Sequence, residues 1–548
     1  MPCSSFDLSV PLLQPLLAFL KNALAAQRKN NPEARSIWLE AASHLYDLDH
    51  GSIGSLAVTL GQQQRHAEAV ALTSAMAELQ PDNAQANFNL GYALQVAGRN
   101  HDALEPYRRA LAIDADLAQL RNNLAVALRM AGGDLTEEIR LLESAIKANP
   151  QDSNPWINLA GVRRLALDLD GALQAGAMSL QIAPDSPLAL NNYALALKEA
   201  QRWDEAERYT KAALERCPDD ASLRFNLATL QLLQGNYDEG WQLHEARWHG
   251  SSEMRGNRPT FSRPQWQGEP LDGKTLLVWG EQGMGDLLQF SRYIPALAAR
   301  VHNEGGRVVW NTYPQMQALL HRSLGAHVDE YACGGDLDSL PSFDYEIALL
   351  SVPLALGTGA ETFASAVPYL RPDPAASAVW RDRLNAEKRF KVGLAWTGSA
   401  GHQRNAFRSV GWERYARGLH DIDGVAFYSL QPGAANDVAA MRAAGLAVTD
   451  YTDWLTSFDD TAAFVGELDL VITVCTSVAH LSGAIGRKTW VLLDTNPHWP
   501  WLLNRSDSCW YPTATLYRQP TFGRWGPVLD QVAQDLSALA SRSNPPAH

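Results

Sequence analysis

The chain has 548 residues, of which 46% are hydrophobic and 19% charged, and its formal net charge is −14. That length exceeds one ordinary core, so two or three domains are expected, and the apolar content excludes a globally disordered chain. The acidic balance leaves no basic footprint for nucleic acid, although local positive groups can still hold a nucleotide.

The opening segment MPCSSFDLSVPLLQPLLAFLKNALAA lacks a basic n-region and is interrupted by Gln14 and Pro15. It reads as the first helix of the fold, not a targeting signal, and no apolar run further along is long enough for a membrane span. The five cysteines, Cys3, Cys217, Cys333, Cys475 and Cys509, form no C-x-x-C pair. A disulfide framework or structural zinc is therefore not expected, and a reducing, cytoplasmic compartment fits.

Residues 1–249 are a repeat array. A large residue followed by a small one recurs at Leu56-Ala57, Leu90-Gly91, Leu124-Ala125, Leu159-Ala160, Tyr193-Ala194 and Leu227-Ala228, in steps of 34, 34, 35, 34 and 34 residues. A second small residue follows most pairs at Ala69, Ala103, Ala172, Ala206 and Gly240, and Pro81, Pro150, Pro184 and Pro218 close units at one phase. This is the tetratricopeptide pattern of paired helices, each unit burying its apolar face against the next. With a degenerate unit across Leu16 to His50, period counting gives about seven units. Asn83, Asn87, Asn122, Asn123, Asn191, Asn192 and Asn226 recur near the first helices. They either line a concave face that grips a peptide backbone or support turns and packing.

Residues 250–273, rich in Gly, Pro, Ser and Arg, read as a linker draped onto the next domain. Strand and helix then alternate in two lobes, 274–385 and 386–540, followed by a tail, 541–548. In the first, strands are expected at KTLLVWG (274–280), RVVWN (307–311) and YEIALLS (345–351). In the second they are expected at KVGLAWTGS (391–399), VAFYSLQ (425–431), DLVITV and TWVLL (489–493). Such alternation predicts open parallel sheets whose carboxyl ends take ligands.

Four segments carry candidate chemistry. In GEQGMGDLLQFSRYIPAL, Gly283 and Gly285 allow a tight turn, and Asp286 at the helix start serves either as a base for an acceptor hydroxyl or as a helix cap. In DLVITVCTSVAHLSGAIG, Thr476 or Ser477 caps a helix whose N-terminus suits a diphosphate. His480, one turn in, supplies a hydrogen bond or charge, or is simply packed. The loop WTGSAGHQRNAFRSV offers His402, Arg404 and Arg408 where a leaving diphosphate needs a cation, or is a solvated loop. In NPHWPWLLNRSDSCWYP, Trp499, Trp501 and Trp510 form a stacking rim or, for at least two of them, core.

Together these segments, from about Lys274 to Ala540, resemble the family 9 glycosyltransferases, which include the lipopolysaccharide heptosyltransferases, and especially bacterial proteins joining tetratricopeptide repeats to such a domain. The family's G-x-G-D-x-L sequence, whose aspartate is its general base, matches Gly283 to Leu288 and implies that role for Asp286. Its D-T-x-x-x-H sequence, which binds the sugar nucleotide, matches at Thr476 and His480, with Cys475 in place of the aspartate that contacts the donor sugar. The resemblance extends to Arg408 as the phosphate-binding basic position and to Gln431, in the run Ser429 to Gln431, facing the nucleotide base. Trp396, opening the basic loop, joins the donor-binding candidates.

The overall plan also resembles the O-linked N-acetylglucosamine transferases and flagellin glycosyltransferases. The implied fold is an all-α tetratricopeptide superhelix followed by an α/β GT-B-type domain of two Rossmann-like lobes. The implied enzyme transfers a sugar from a nucleotide sugar to Ser/Thr hydroxyls of a protein acceptor, such as flagellin, held by the repeats. A glycan or lipopolysaccharide acceptor and a non-catalytic scaffold are the alternatives, the latter raised by Cys475. No cofactor or metal is expected, because no D-x-D stands at a strand end; the three DLD runs lie in the repeats or, at Asp336 to Asp338, in a loop.

Overall fold

The computed structural model describes residues 12–281, 283–357 and 367–543. Among them, the first fourteen helices fall into seven consecutive pairs, from Leu13–Arg28 with Pro32–Ser43 to Ala221–Gln234 with Tyr237–His244. The turns have a repeated chemistry. Asp49, Asn83, Asp134, Asp152, Asp168 and Asp220 each accept from free backbone N–H groups of the helix they precede. Two of the three DLD runs thus contain helix caps, not ligands. Pro81, Pro150, Pro184 and Pro218 fall between helices.

The small residues of the repeat pattern are buried: Ala57, Gly91, Ala125, Ala160, Ala194 and Ala228 in the first set, and Ala69, Ala103, Ala172, Ala206 and Gly240 in the second. Gly91 shows why size matters. A Cβ there would fall 2.6 Å from Cδ1 of Tyr107, whose ring is fully buried. That helix pair therefore closes by fitting a large residue over a missing side chain, and the buried alanines of the other units likewise leave room for close helix approach.

The chain divides into two compact units, Met1–Ala196 and Leu197–His548. The division falls inside the helix Pro187–Glu199 and not at 249/250, where the composition changes. Side chains of the last repeats explain this, because they are core of the second unit. Trp241 packs edge-on against Trp499 at 5.2 Å and Phe290 at 5.9 Å. Arg247 pairs with Glu281 at 2.9 Å, both side chains fully buried. The linker is packed as well: Trp266 is 1% exposed and its backbone N–H donates to the Glu346 carbonyl at 2.8 Å.

Two parallel sheets follow. The first contains β1 (Thr275–Trp279), β2 (Arg307–Thr312), β3 (Glu330–Cys333) and β4 (Tyr345–Ala348), in the order β3-β2-β1-β4. The second contains β5 (Phe390–Ala395), β6 (Val425–Ser429), β7 (Val448–Asp450), β8 (Leu470–Val474), β9 (Thr489–Leu493) and β10 (Ala514–Arg518), in the order β10-β9-β8-β5-β6-β7. Three strands escape the sequence reading: β3, β7 and β10. All three are sheet edges. The closing helix, Gly526–Ser543, runs past 540 into the segment read as a tail.

Candidate functional site

In both sheets the strand order reverses at one neighbouring pair, β1/β4 beside the edge of the first and β5/β8 at the centre of the second. Ligands of open α/β sheets bind beyond the carboxyl ends of the strands at such reversals. The glycine motif follows β1, the basic loop follows β5, and the Cys475–Thr476 turn follows β8. Topology therefore puts three of the four candidate segments at the chemically favoured edge.

The β1 turn leads into the helix Met284–Phe290, with Gly283 at its N-cap position. Gly283 has φ −60° and Gly285 is helical, so neither glycine is there to supply a left-handed turn. Gly285 instead permits close approach to the helix Ser477–Ala484. A Cβ on it would lie 3.0 Å from Cδ2 of His480 and 3.5 Å from Cα of Ser477. The first motif thus meets the second through a missing side chain.

Asp286 sits in the first turn of that helix but does not cap it: no side-chain cap hydrogen bond is made there. Its carboxylate has no hydrogen-bond partner among the described residues, and it lies beside Gly283, whose Cβ would be 3.5 Å from Oδ2. Desolvation by its surroundings, then the neighbouring Glu281 and Glu253 carboxylates, push its acid up to about 7, against the opposing pull of Arg408. A carboxylate poised near neutrality and uncommitted to structure is suited to taking a proton.

The basic loop resolves into three different roles. Arg404 is held between Glu199 at 2.6 Å and Asp494 at 2.7 Å, so its charge is already matched. His402 accepts from the Arg404 backbone N–H at 3.1 Å, and burial together with Arg408 lowers it to about 4. Arg408 makes no ion pair among the described residues. Its Nη1 donates to the Cys475 carbonyl at 2.9 Å, and its guanidinium covers Gly398, where a Cβ would collide with it. Arg408 is therefore the cation of this loop left available to an anion.

Thr476 is the N-cap of Ser477–Ala484, accepting from the Val478 N–H at 3.2 Å, and Ser477 is the first helical residue. Gln431 lies just past β6, with Oε1 accepting from the Thr397 N–H at 3.2 Å. Trp396 is not at the site. Its indole is 1% exposed in the second sheet's core and donates to Asp437 at 2.8 Å. His480 supplies no charge: burial, then Arg292 and Arg408, lower it to about 3.

Behind His480 stands an aromatic wall. Trp499, Trp501 and Trp510 are all buried, so the fourth segment is core and not a rim. Trp501 stacks on the His480 ring at 5.4 Å and donates from Nε1 to Cys475 Sγ at 3.1 Å. Tyr511 Oη bonds His480 Nδ1 at 3.0 Å. Arg292 lies over Tyr369, Trp510 and Tyr511 at 4.8 to 4.9 Å.

Sequence reasoning missed Glu281, Asp494 and His498. Glu281 and Asp494 closely follow β1 and β9, so their strand-end positions were a usable signal. His498 had none. Where no metal is expected from sequence, Cys475, His480 and His498 come together with one ligand atom each within 4.8 Å of the others.

Of the asparagines, Asn83 caps a helix and Asn87 is buried, donating to the Pro81 and Asn83 carbonyls. These two serve turn and packing. Asn122 instead accepts from Asn158 of the next repeat at 2.8 Å. A cavity of about 530 Å³, bounded by Trp203, Gln234, Leu503 and Arg505 among others, is lined by none of the predicted site residues. No helix among the described residues is long and apolar enough to cross a membrane.

Residues 55–118, 94–153 and 187–230 match the tetratricopeptide repeat family. Protein FlbA of Caulobacter vibrioides is 29% identical over 458 residues, 79% of this chain and 75% of FlbA. Among solved structures, TTC0263, a thermophilic TPR protein of Thermus thermophilus, is 23% identical with a TM-score of 0.31, covering 34% of this chain and 100% of its own. The Pseudomonas aeruginosa pilF protein is 20% identical with a TM-score of 0.32, covering 36% and 90%. The chain carries tetratricopeptide repeats and is similar over most of its length to protein FlbA.

Proposed function

We propose that this chain is a glycosyltransferase of GT-B type, moving a sugar from a nucleotide sugar to a Ser or Thr hydroxyl of a protein held by the repeats, with flagellin as the first acceptor to try. The observation that carries this reading is Asp286: half-buried, free of hydrogen bonds among the described residues, with its acid at about 7. In the proposed step the acceptor proton passes to the Asp286 carboxylate as the hydroxyl oxygen bonds the anomeric carbon. The bond from that carbon to the donor phosphate breaks, and its electron pair leaves on the nucleoside diphosphate. Arg408, with no carboxylate to satisfy, and the N-terminus of the helix capped by Thr476 are suited to that developing charge. Repeats of this kind support the protein-acceptor part of the reading, because their stacked helices present an extended binding surface.

The experiment incubates the full-length chain with flagellin, or another co-encoded surface protein, and a panel of nucleotide sugars, and reads the intact mass of the acceptor. A mass gain of one or more sugars is expected, with a rate that climbs as pH rises through about 7. Asp286→Asn should lower the rate by at least about a hundredfold. Unchanged transfer by that variant removes Asp286 from the mechanism. One observation favours a non-catalytic scaffold: Cys475 replaces the donor-contacting aspartate and its sulfur already accepts from Trp501. Calorimetry with the same nucleotide sugars separates the two, since a scaffold that has lost its donor site releases no heat.

A further inference from the structure

We propose that Cys475, His480 and His498 form a binding site for a transition-metal ion of the zinc class. The three come from separate segments: the residue after β8, the helix that follows it, and the loop after β9. Their ligand atoms nevertheless lie within 4.8 Å of one another. Bonds of about 2.3 Å to sulfur and about 2.0 Å to nitrogen place tetrahedral ligand atoms roughly 3.3 to 3.7 Å apart. The side chains therefore need to close by only about 1 Å around an ion.

The surroundings resemble an outer coordination shell. Trp501 Nε1 donates to the Cys475 sulfur at 3.1 Å, which stabilises a thiolate. His480 Nδ1 is engaged by Tyr511 Oη at 3.0 Å, which fixes the ring and leaves Nε2 as the ligand nitrogen. Arg408 holds the Cys475 backbone through its carbonyl at 2.9 Å. Metal-binding histidines are oriented in this way through their second ring nitrogen. One sulfur and two imidazole nitrogens select zinc, cobalt or copper over magnesium or calcium, which take oxygen ligands. The absence of D-x-D therefore says nothing about this site. Cys475 and His480 are buried and His498 is half-buried, so three protein ligands leave a fourth position for water or an anionic oxygen. The site rests on this geometry and not on the transfer reaction.

Cobalt(II) reports on such a ligand set directly. The full-length chain, reduced and stripped of metal by dialysis against a chelator, is titrated with Co²⁺. One equivalent should bind, producing a thiolate-to-cobalt charge-transfer band and the visible bands of four-coordinate cobalt, both abolished by Zn²⁺. Cys475→Ser should remove the charge-transfer band. His498→Ala should weaken Co²⁺ binding by at least about tenfold. Because His498 is only half-buried, this variant carries the test if Cys475→Ser fails to fold. No charge-transfer band in the wild type, a band that survives Cys475→Ser, or unchanged affinity in His498→Ala would overturn the proposal.

Discussion

Asp286 illustrates how a side chain can cost stability at the place where it is chemically useful. Its acid is raised to about 7, so the folded chain holds this proton more tightly than the unfolded chain does. Its stabilising contribution is full below the ordinary carboxylate range and is lost as pH rises through about 7. Asp286→Asn, which mimics the protonated form, should therefore stabilise the fold, by a gain that grows from about pH 4 to about pH 8 and reaches roughly 1–3 kcal/mol. Thermal unfolding at several pH values checks this, and a gain independent of pH counts against the raised acid. Glu138 in the first unit behaves similarly. Its side chain is 1% exposed with Arg129 at 3.3 Å, neither oxygen is hydrogen-bonded, and its acid is raised to about 7. The melting temperature of the Met1–Ala196 unit should fall through that pH range, and Glu138→Gln should flatten the fall.

At the scale of elements, missing side chains do as much as those present. Gly91 lies under the Tyr107 ring, whose Oη also bonds Gln95 at 2.7 Å, so the ring has little room to yield. Gly91→Val should destabilise the first unit by about 1–3 kcal/mol through overpacking, and a lower urea midpoint with an unchanged slope is the expected record. Gly285 plays the same part between Met284–Phe290 and Ser477–Ala484, which sequence reading attributed to a turn. Turn glycines and packing glycines look alike in a sequence; the distinction lies in φ and in what stands opposite. The strands divide in a related way. Every central strand was legible as an apolar run because it is covered on both faces. The edges β3, β7 and β10 were not, since each is only partly buried along its length, whereas the edge β4 is buried from Glu346 to Ala348 and reads as a strand.

At the scale of the whole molecule, the composition boundary at 249/250 is not where the chain divides. Glu199 is 1% exposed in its pair with Arg404, and Trp241 and Arg247 are buried among residues from 281 onward. A fragment beginning at residue 250 would uncover Phe290 and Trp499 and leave Glu281 and Arg404 each short of a buried partner, and losing one partner of a buried ion pair typically costs about 3–5 kcal/mol. That fragment should be degraded far faster than the full-length chain; limited proteolysis of both checks this. A protease-resistant fragment 250–548 would show that the last repeats are dispensable.

The sequence by itself determined the repeat period, the helix pairs, the central strands and which strands Asp286, Arg408 and Thr476 follow. These follow from local periodicity and turn chemistry, which the order of residues encodes directly. Only the tertiary structure decided that Trp396 belongs to the core, that Arg404 is spent on Glu199 and Asp494, and that His480 is neutral. It alone brought His498 to Cys475 and His480. Burial and through-space pairing between distant segments set these properties, and neither is written in the spacing of neighbours along the chain.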